Sequence, residues 1–330
     1  MSMGLINAGI AGIGIYVPDN VITNAQLEKM VDTTNEWIMA RSGIRERRIA
    51  SPGQAASDLA VVAAERALAD AGLEAGEVDL LIVATNTPDM SFPATACLVQ
   101  NRIGAKNAAA FDLAAGCTGF IYAVAVGSQF ITSGTYRTVM IIGAEHLSSV
   151  TNWEDRRTCI LFGDAAGAVV LRPVQKGSGI LAFKLRADGS GGHYLMKPAG
   201  GSRQPATRET VEKKLHYIHM NGREVFKFAV RVIGKTSEEV LAAAGLKKND
   251  LDVFIPHQAN MRIIESAARK LGLSMEKVVV NVDRYGSTST ASIPLALKEA
   301  VDGGRIKSGS NVVLMGFGAG LTWGAMVIKW

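Results

Sequence analysis

Cys117 stands in Ala114-Ala115-Gly116-Cys117-Thr118-Gly119-Phe120, where a run of small residues gives way to an apolar helical stretch. A thiol at a helix N-terminus feels the positive end of the macrodipole and nearby free N–H groups, and both favour the thiolate. A cysteine in an apolar segment is equally a small buried hydrophobe, so the residue alone leaves nucleophile and core open. His257 is the best candidate partner. It follows an apolar run, 252–255, in Pro256-His257-Gln258-Ala259-Asn260, at the strand-to-loop boundary where α/β folds keep functional groups. His146 follows a similar run, 139–144, and competes with it; His193, His216 and His219 fall in a polar insert, 185–220, and read as surface residues. A Cys and a His converging on one cleft fit nucleophilic catalysis by thioester exchange, with His as acid/base or hydrogen-bond donor. Gly316-Phe317-Gly318-Ala319-Gly320 reads as a tight turn whose glycines also let backbone N–H groups approach a ligand, as in an oxyanion hole.

The elements that must bring these groups together come in two similar sets. Residues 67–85, ALADAGLEAGEVDLLIVAT, align with 240–258, VLAAAGLKKNDLDVFIPHQ: a helix, an Ala-Gly-Leu stop, a polar turn, an Asp, then a buried strand. Residues 131–144 align with 306–317, and 167–172 with 324–329, in the same order. The chain therefore divides into an N-terminal half, 1–175, carrying Cys117, and a C-terminal half, 176–330, carrying His257. Apolar runs at 80–84, 139–142, 253–255 and 312–315 mark strands covered on both faces. The expected fold is α/β, two pseudo-symmetric halves packed as a layered α/β/α/β/α sandwich. The segment after Cys117, TGFIYAVAVGSQFI, is apolar on nearly every face and belongs in the middle of the molecule. Its counterpart starts within 286–294. Matching Gly116-Cys117-Thr118-Gly119 to Gly286-Ser287-Thr288-Ser289 makes Cys117 and Ser287 equivalent positions facing a common cleft.

Composition narrows the function. With 48% hydrophobic and 20% charged residues over 330 positions, the chain is globular with a large core. A net charge of +5, spread along the chain, suits an acidic partner or a phosphorylated ligand and does not indicate nucleic acid. The basic clusters Arg45/Arg47/Arg48, Arg156/Arg157 and Lys213/Lys214 read as solvated faces. Three cysteines, Cys97, Cys117 and Cys159, without metal-ligand spacing, indicate neither disulfides nor a metal site, and a cytoplasmic setting is expected. The apolar N-terminus has no Lys or Arg before it and is broken by Pro18, so it does not read as a signal peptide, and no run is long enough to span a membrane. Gly9, Gly12 and Gly14 do not form a dinucleotide motif, because an extended segment, not a helix, follows them.

With these elements in place, the chain resembles the thiolase-fold condensing enzymes, and within them the β-ketoacyl-acyl-carrier-protein synthase III family, over essentially its whole length. The resemblance rests on Glu36-Trp37-Ile38 with 41–47 (RSGIRER), Phe92-Pro93-Ala94, 115–120 (AGCTGF), 162–168 (FGDAAGA), 221–227 (NGREVFK), 256–260 (PHQAN), 283–286 (DRYG) and 318–324 (GAGLTWG), eight motifs in order. It implies that Cys117 takes an acyl group from acyl-CoA and that His257 helps decarboxylate a malonyl-thioester on an acyl carrier protein, whose enolate attacks the acyl-Cys to initiate fatty-acid biosynthesis. It further implies an oxyanion hole from the backbone N–H groups of Cys117 and Ala319, and an adenine sandwich from Trp37 and Arg156. Gly222, Phe226, Asn260 and Arg262 fall along the implied pantetheine tunnel. Phe92 corresponds to a residue entering the acyl pocket of a partner subunit, hence a homodimer, and no cofactor beyond the acyl-CoA substrate is implied. Arg156 and Arg262 also suit CoA phosphates and an acidic carrier protein on charge alone.

One position departs from the family. Its third catalytic residue is an Asn in a Gly-Asn-Thr-Ser run, and here that run is Gly286-Ser287-Thr288-Ser289. Ser has one O–H on a shorter arm where Asn offers two N–H donors, and losing such a donor costs on the order of 10²–10³ in rate unless water bridges the gap. Acylation of Cys117 is expected to survive, with condensation in question. Three readings stand: a working synthase with a relaxed third position, an acyltransferase that hands the acyl group to a non-malonyl acceptor, and an Asn→Ser form of an ordinary synthase.

Overall fold

Strands with no polar face need cover on both sides, and the chain supplies helices for each. The computed structural model describes residues 6–330; residues 1–5, part of the stretch read above as no signal peptide, lie outside the described residues. In chain order the first half runs β1 (Ile6–Tyr16), β2 (Asn20–Thr23), α1 (Asn24–Leu27), α2 (Asn35–Ser42), β3 (Glu46–Ile49), α3 (Ala56–Ala71), β4 (Leu80–Ala84), α4 (Thr95–Arg102), β5 (Ala109–Leu113), α5 (Gly119–Thr132), β6 (Val139–Glu145) and β7 (Ala165–Gln175). The second runs β8 (Gly179–Ala187), β9 (Leu195–Met196), α6 (Arg208–Glu212), β10 (His219–Met220), α7 (Gly222–Ala243), β11 (Val253–Pro256), α8 (Met261–Leu271), α9 (Val282–Tyr285), α10 (Ser292–Asp302), β12 (Asn311–Gly318) and β13 (Thr322–Lys329).

One sheet has the order β1-β7-β6-β4-β5, the other β11-β12-β13-β8. Pairings β4–β6 and β11–β12 are parallel, and those from β6 through β7 to β1 and from β12 through β13 to β8 are antiparallel. A fifth strand beside β11 shrinks to the single bridge Phe254↔Val278. Helices α5 and α10 lie between the sheets, α3 and α4 cover one outer face, and α7 covers the other with α8 packed against it. This is the layered α/β/α/β/α sandwich that the apolar runs require. Phe120, Ile121, Ile293 and Leu297 of the central helices join Ile82, Ile141 and Leu314 of the sheets in the innermost core.

The repeated residues repeat their bonds. Asp79 accepts from the Thr138 N–H at 2.9 Å and Asp252 from the Asn311 N–H at 2.8 Å, each clamping the start of the neighbouring parallel strand. The glycines of both Ala-Gly-Leu stops, Gly72 (φ +64) and Gly245 (φ +73), take the left-handed conformation that ends a helix.

The arginine cluster corrects the sequence reading. Arg45 is exposed, but Arg47 is 0% exposed, with its guanidinium donating to the carbonyls of Ile22 and Ile160 and to Asn24 Oδ1. Its side chain points away from solvent because residues 160–163 cover that face of the β2–β3 hairpin. Burial lowers its pKa to about 10, still well above neutrality.

Strand β1 contains the glycines that imitate a nucleotide motif, and their purpose is proximity. A Cβ on Gly12 would lie 2.5 Å from the Ala67 carbonyl oxygen, and one on Gly14 2.2 Å from that of Ala63, so α3 lies directly on the strand backbone. Gly14→Ala is expected to destabilise the protein by about 3 kcal/mol, the upper end for overpacking. Denaturant titration checks it, and an unshifted midpoint would refute the close-approach account.

Candidate active site

Cys117 sits just ahead of α5, and the second half of the chain holds it there. The Thr322 hydroxyl donates to the Ala115 carbonyl at 2.8 Å, and the Thr118 hydroxyl donates to the Thr322 carbonyl at 3.2 Å. A Cβ on Gly116 would lie 2.7 Å from Ala319 N, and one on Gly318 2.5 Å from Cys117 N. Glycine at both positions is what lets the two backbones meet. Gly316 and Gly318 belong to β12 itself, so the turn expected from the glycine run is confined to 319–321.

Two cavities meet at the thiol. The first, 160 Å³, is lined by Asn86, Thr87, Cys117, Ser289 and Ala319 and roofed by Leu195, Met196 and Ile218. The second, 130 Å³, is lined by Cys117, His257, Ser287 and Phe317 and runs out past Gly222, Phe226 and Asn260. Each is several times the ~15 Å³ that admits one water, so each has room for a ligand segment. The roof corrects another expectation: the insert 185–220 is not merely surface. His193 and His219 are exposed, but His216 is half-buried against Thr210 Oγ1 at 2.9 Å, and Leu195, Met196 and Ile218 of the same insert cover Cys117.

His257 follows β11 as expected and is 2% exposed. Its backbone N–H donates to the Met315 carbonyl at 2.7 Å, ring Nδ1 is 2.6 Å from the Ser292 hydroxyl, and the ring meets Phe317 edge-on with centroids 5.2 Å apart. Burial pushes its pKa down to about 3. The imidazole is therefore neutral at any working pH, and a neutral ring donates a hydrogen bond rather than a proton. His146, its competitor, lines neither cavity.

Ser287 lines the second cavity with Cys117 and His257, its backbone pinned by its N–H to the Leu161 carbonyl (2.7 Å) and by the Gly163 N–H to its own carbonyl (3.2 Å). The helix-start equivalence with Cys117 is incomplete. α5 begins two residues after Cys117, but α10 begins five after Ser287, because a 3-10 turn, Ser289–Ala291, intervenes.

The thiol is not activated at rest, contrary to the helix-terminus argument. Burial pushes Cys117 up to about 12, with the nearby Glu145 adding to the rise, against a hydrogen bond from Ser289 that lowers it. Glu145 is 0% exposed and accepts from the backbone N–H (3.2 Å) and Nδ2 (2.7 Å) of Asn86, from Thr87 Oγ1 (2.8 Å) and from Thr290 Oγ1 (3.1 Å). Burial raises its pKa while the hydrogen bonds from Thr87, Ser289 and Asn86 pull the other way. Sequence reasoning missed Glu145, Ser289 and Ser292. A Glu closing the otherwise apolar strand 139–145 was a readable signal; Ser289 and Ser292 carried none.

The remaining candidates lie outside the two cavities or at their rim. Arg156 stacks over Trp37 at 5.4 Å and Arg41 over the same ring at 5.3 Å. A base between Trp37 and Arg156 needs two contact distances of about 3.5 Å each, so it must displace the guanidinium. Asn260 caps α8 and donates to the Arg41 carbonyl at 2.9 Å, joining the rim of the second cavity to α2, and Arg262 lies over Phe226 of α7 at 5.5 Å. Phe92 is 85% exposed and lines neither cavity. Among the described residues, no group of three or more His, Cys, Asp or Glu is arranged to hold a metal, and no helix is long and apolar enough to cross a membrane.

Residues 111–189 match the family described as 3-oxoacyl-[acyl-carrier-protein (ACP)] synthase III, and residues 241–330 match its C-terminal counterpart. The chain is 58% identical over 325 residues to a β-ketoacyl-[acyl-carrier-protein] synthase III of Caldanaerobacter subterraneus subsp. tengcongensis, covering 98% of each chain. It is 57% identical over 326 residues to one from Desulfitobacterium hafniense, covering 99% of this chain and 98% of that one. The crystal structure of 3-oxoacyl-[acyl-carrier-protein] synthase III from Aquifex aeolicus superposes with a TM-score of 0.91 at 47% identity, over 98% of this chain and 100% of that one. Both matched segments and the full-length likeness lead to one conclusion: the chain belongs to the thiolase-fold β-ketoacyl-acyl-carrier-protein synthase III family.

Proposed function

We propose that the protein condenses an acyl group from acyl-CoA with a malonyl-thioester on acyl carrier protein, initiating fatty-acid biosynthesis. The observation that carries this reading is that Cys117 opens on two cavities at once, one of them shared with His257 and Ser287. Two successive thioester reactions at one sulfur call for such an arrangement. The acyltransferase reading, with a non-malonyl acceptor, is not favoured: relatives sharing more than half of all residues along the whole chain are named as synthases.

In the first step the Cys117 sulfur attacks the acyl-CoA carbonyl, the backbone N–H groups of Cys117 and Ala319 hold the oxyanion, and CoA leaves as the thiol with the proton that Cys117 gives up. The Ser289 hydroxyl eases that proton loss by solvating the sulfur. In the second step the malonyl C–C bond breaks, CO₂ departs, and the electron pair forms an enolate whose oxygen takes a hydrogen bond from neutral His257. The enolate carbon then attacks the acyl-Cys carbonyl, collapse of that adduct expels the Cys117 thiolate, and the sulfur takes a proton from solvent to restore the thiol. Ser287 stands where the family has Asn and offers the enolate one donor fewer.

The same reading gives the other candidates their roles. Trp37 and Arg156 hold the adenine once the guanidinium moves, and Gly222, Phe226, Asn260 and Arg262 line or rim the pantetheine path. Phe92, with Met90 also exposed, fits a homodimer in which it reaches the acyl pocket of a second copy. We assign the halves 1–175 and 176–330 to Cys117 and His257 respectively, with no resident cofactor and a cytoplasmic setting.

Three outcomes are expected. Intact-mass spectrometry after mixing with acetyl-CoA gives a one-acyl adduct that Cys117→Ala lacks; no adduct on the wild type would refute the reading. Below a pKa near 12, the thiolate fraction grows about tenfold per pH unit, so iodoacetamide labelling of ligand-free Cys117 should accelerate steadily through pH 9, where a plateau near the ordinary thiol value of about 8.5 contradicts the burial argument. Ser287→Asn is expected to raise CO₂ release from malonyl-acyl carrier protein by about 10²-fold, far more than it changes acylation, and an unaltered rate disproves the role given to this position.

A further inference from the structure

His257 can serve the enolate only if its single ring proton sits on the nitrogen facing the cavity, and a residue outside the cavity decides that. Nδ1 is 2.6 Å from the hydroxyl of Ser292, the first residue of α10, and both residues are buried at 2% exposure. Ser292 Oγ also receives the Gln258 N–H at 3.4 Å. Among the described residues no other acceptor lies within reach of the hydroxyl hydrogen, so that hydrogen has one destination, Nδ1. A nitrogen that accepts cannot carry the ring proton; the proton is then on Nε2.

The ring has little freedom to escape this choice. Gln258 fixes the loop from the next position, donating from Nε2 to the carbonyls of Pro256 (2.8 Å) and Val279 (3.0 Å) and accepting from the Asn281 N–H at 2.9 Å. Phe317 braces the imidazole edge. The opposite tautomer would turn a lone pair toward the enolate oxygen, repelling the charge that forms there.

We propose that Ser292 is a positioning residue that holds His257 as the Nε2–H tautomer, so that neutral imidazole donates to the enolate oxygen during decarboxylation. No proton is transferred in the step. The malonyl C–C bond breaks, its electron pair becomes the enolate, CO₂ leaves, and the N–H stays on His257. The inference rests on the condensing function proposed above. It weighs more in this chain than where Asn stands at position 287, because His257 carries the enolate with less help.

The test is nitrogen NMR of the full-length protein labelled with ¹⁵N-histidine, in which His257→Gln identifies the His257 resonances among five histidines. The wild type is expected to show Nε2–H at His257, and Ser292→Ala to lose that preference. Decarboxylation of malonyl-acyl carrier protein should then fall roughly 10²-fold, acylation of Cys117 should fall far less, and Ser292→Thr, which keeps the hydroxyl, should recover most of the loss. An Nε2–H tautomer that persists in Ser292→Ala, or decarboxylation indifferent to it, overturns the proposal. So does an Nδ1–H signal in the wild type, which decides the matter even if Ser292→Ala does not fold. A wild type that neither acylates nor decarboxylates refutes the condensing function, and the spectrum still judges the tautomer.

Discussion

Everything at this site depends on two backbone turns approaching more closely than side chains allow. The 116–118 segment of one half and the 318–320 segment of the other meet through Gly116 and Gly318, and the hydroxyls of Thr118 and Thr322 tie them together. That contact aligns the start of α5 with the end of β12 and brings Ala319 beside the nucleophile. It also makes the nucleophile a property of the whole molecule, since neither half holds Cys117 in place by itself.

Around this junction the dominant electrostatic fact is burial. Burial keeps the Cys117 thiol protonated at rest and His257 neutral. A protonated resting thiol is spared oxidation, which attacks thiolates. A neutral imidazole avoids a buried charge and still offers one N–H. Glu145, ringed by donors from 86–87 and from Thr290, ties the two halves together behind the sulfur.

Much of the arrangement was legible because it is periodic or local. Apolar runs gave the strands, the Ala-Gly-Leu stops gave matching helix ends, and His257 was visible as a polar residue closing an apolar strand. What escaped is long-range. Arg47 looks like any surface arginine until residues 160–163 cover it, and Ser289 and Ser292 look like turn residues until partners far away in the chain, Asn86 and Cys117 for the first and His257 for the second, are folded against them. The thiolate argument failed for the same reason: a helix terminus is local, but the burial that outweighs it comes from β12 and from the roof. The position of Ser287 was legible; the 3-10 turn that separates it from α10 was not.

That roof belongs to neither main sheet. β9 and β10 pair only with each other, through Leu195↔Met220 and Met196↔His219, and the ribbon is anchored by the Ile218 N–H to the Val150 carbonyl at 2.8 Å. Its side chains line both cavities, Leu195 and Met196 the first and Leu195 and Met220 the second, while its backbone makes no hydrogen bond to Cys117, His257 or the two glycine turns. The walls around the thiol and the backbone that positions it are therefore carried by separate parts of the molecule. Replacements along the ribbon can reshape the space over the thiol through evolutionary time while the backbone junction beneath it stays as it is, which is how one scaffold can change what it admits without rebuilding what holds its nucleophile.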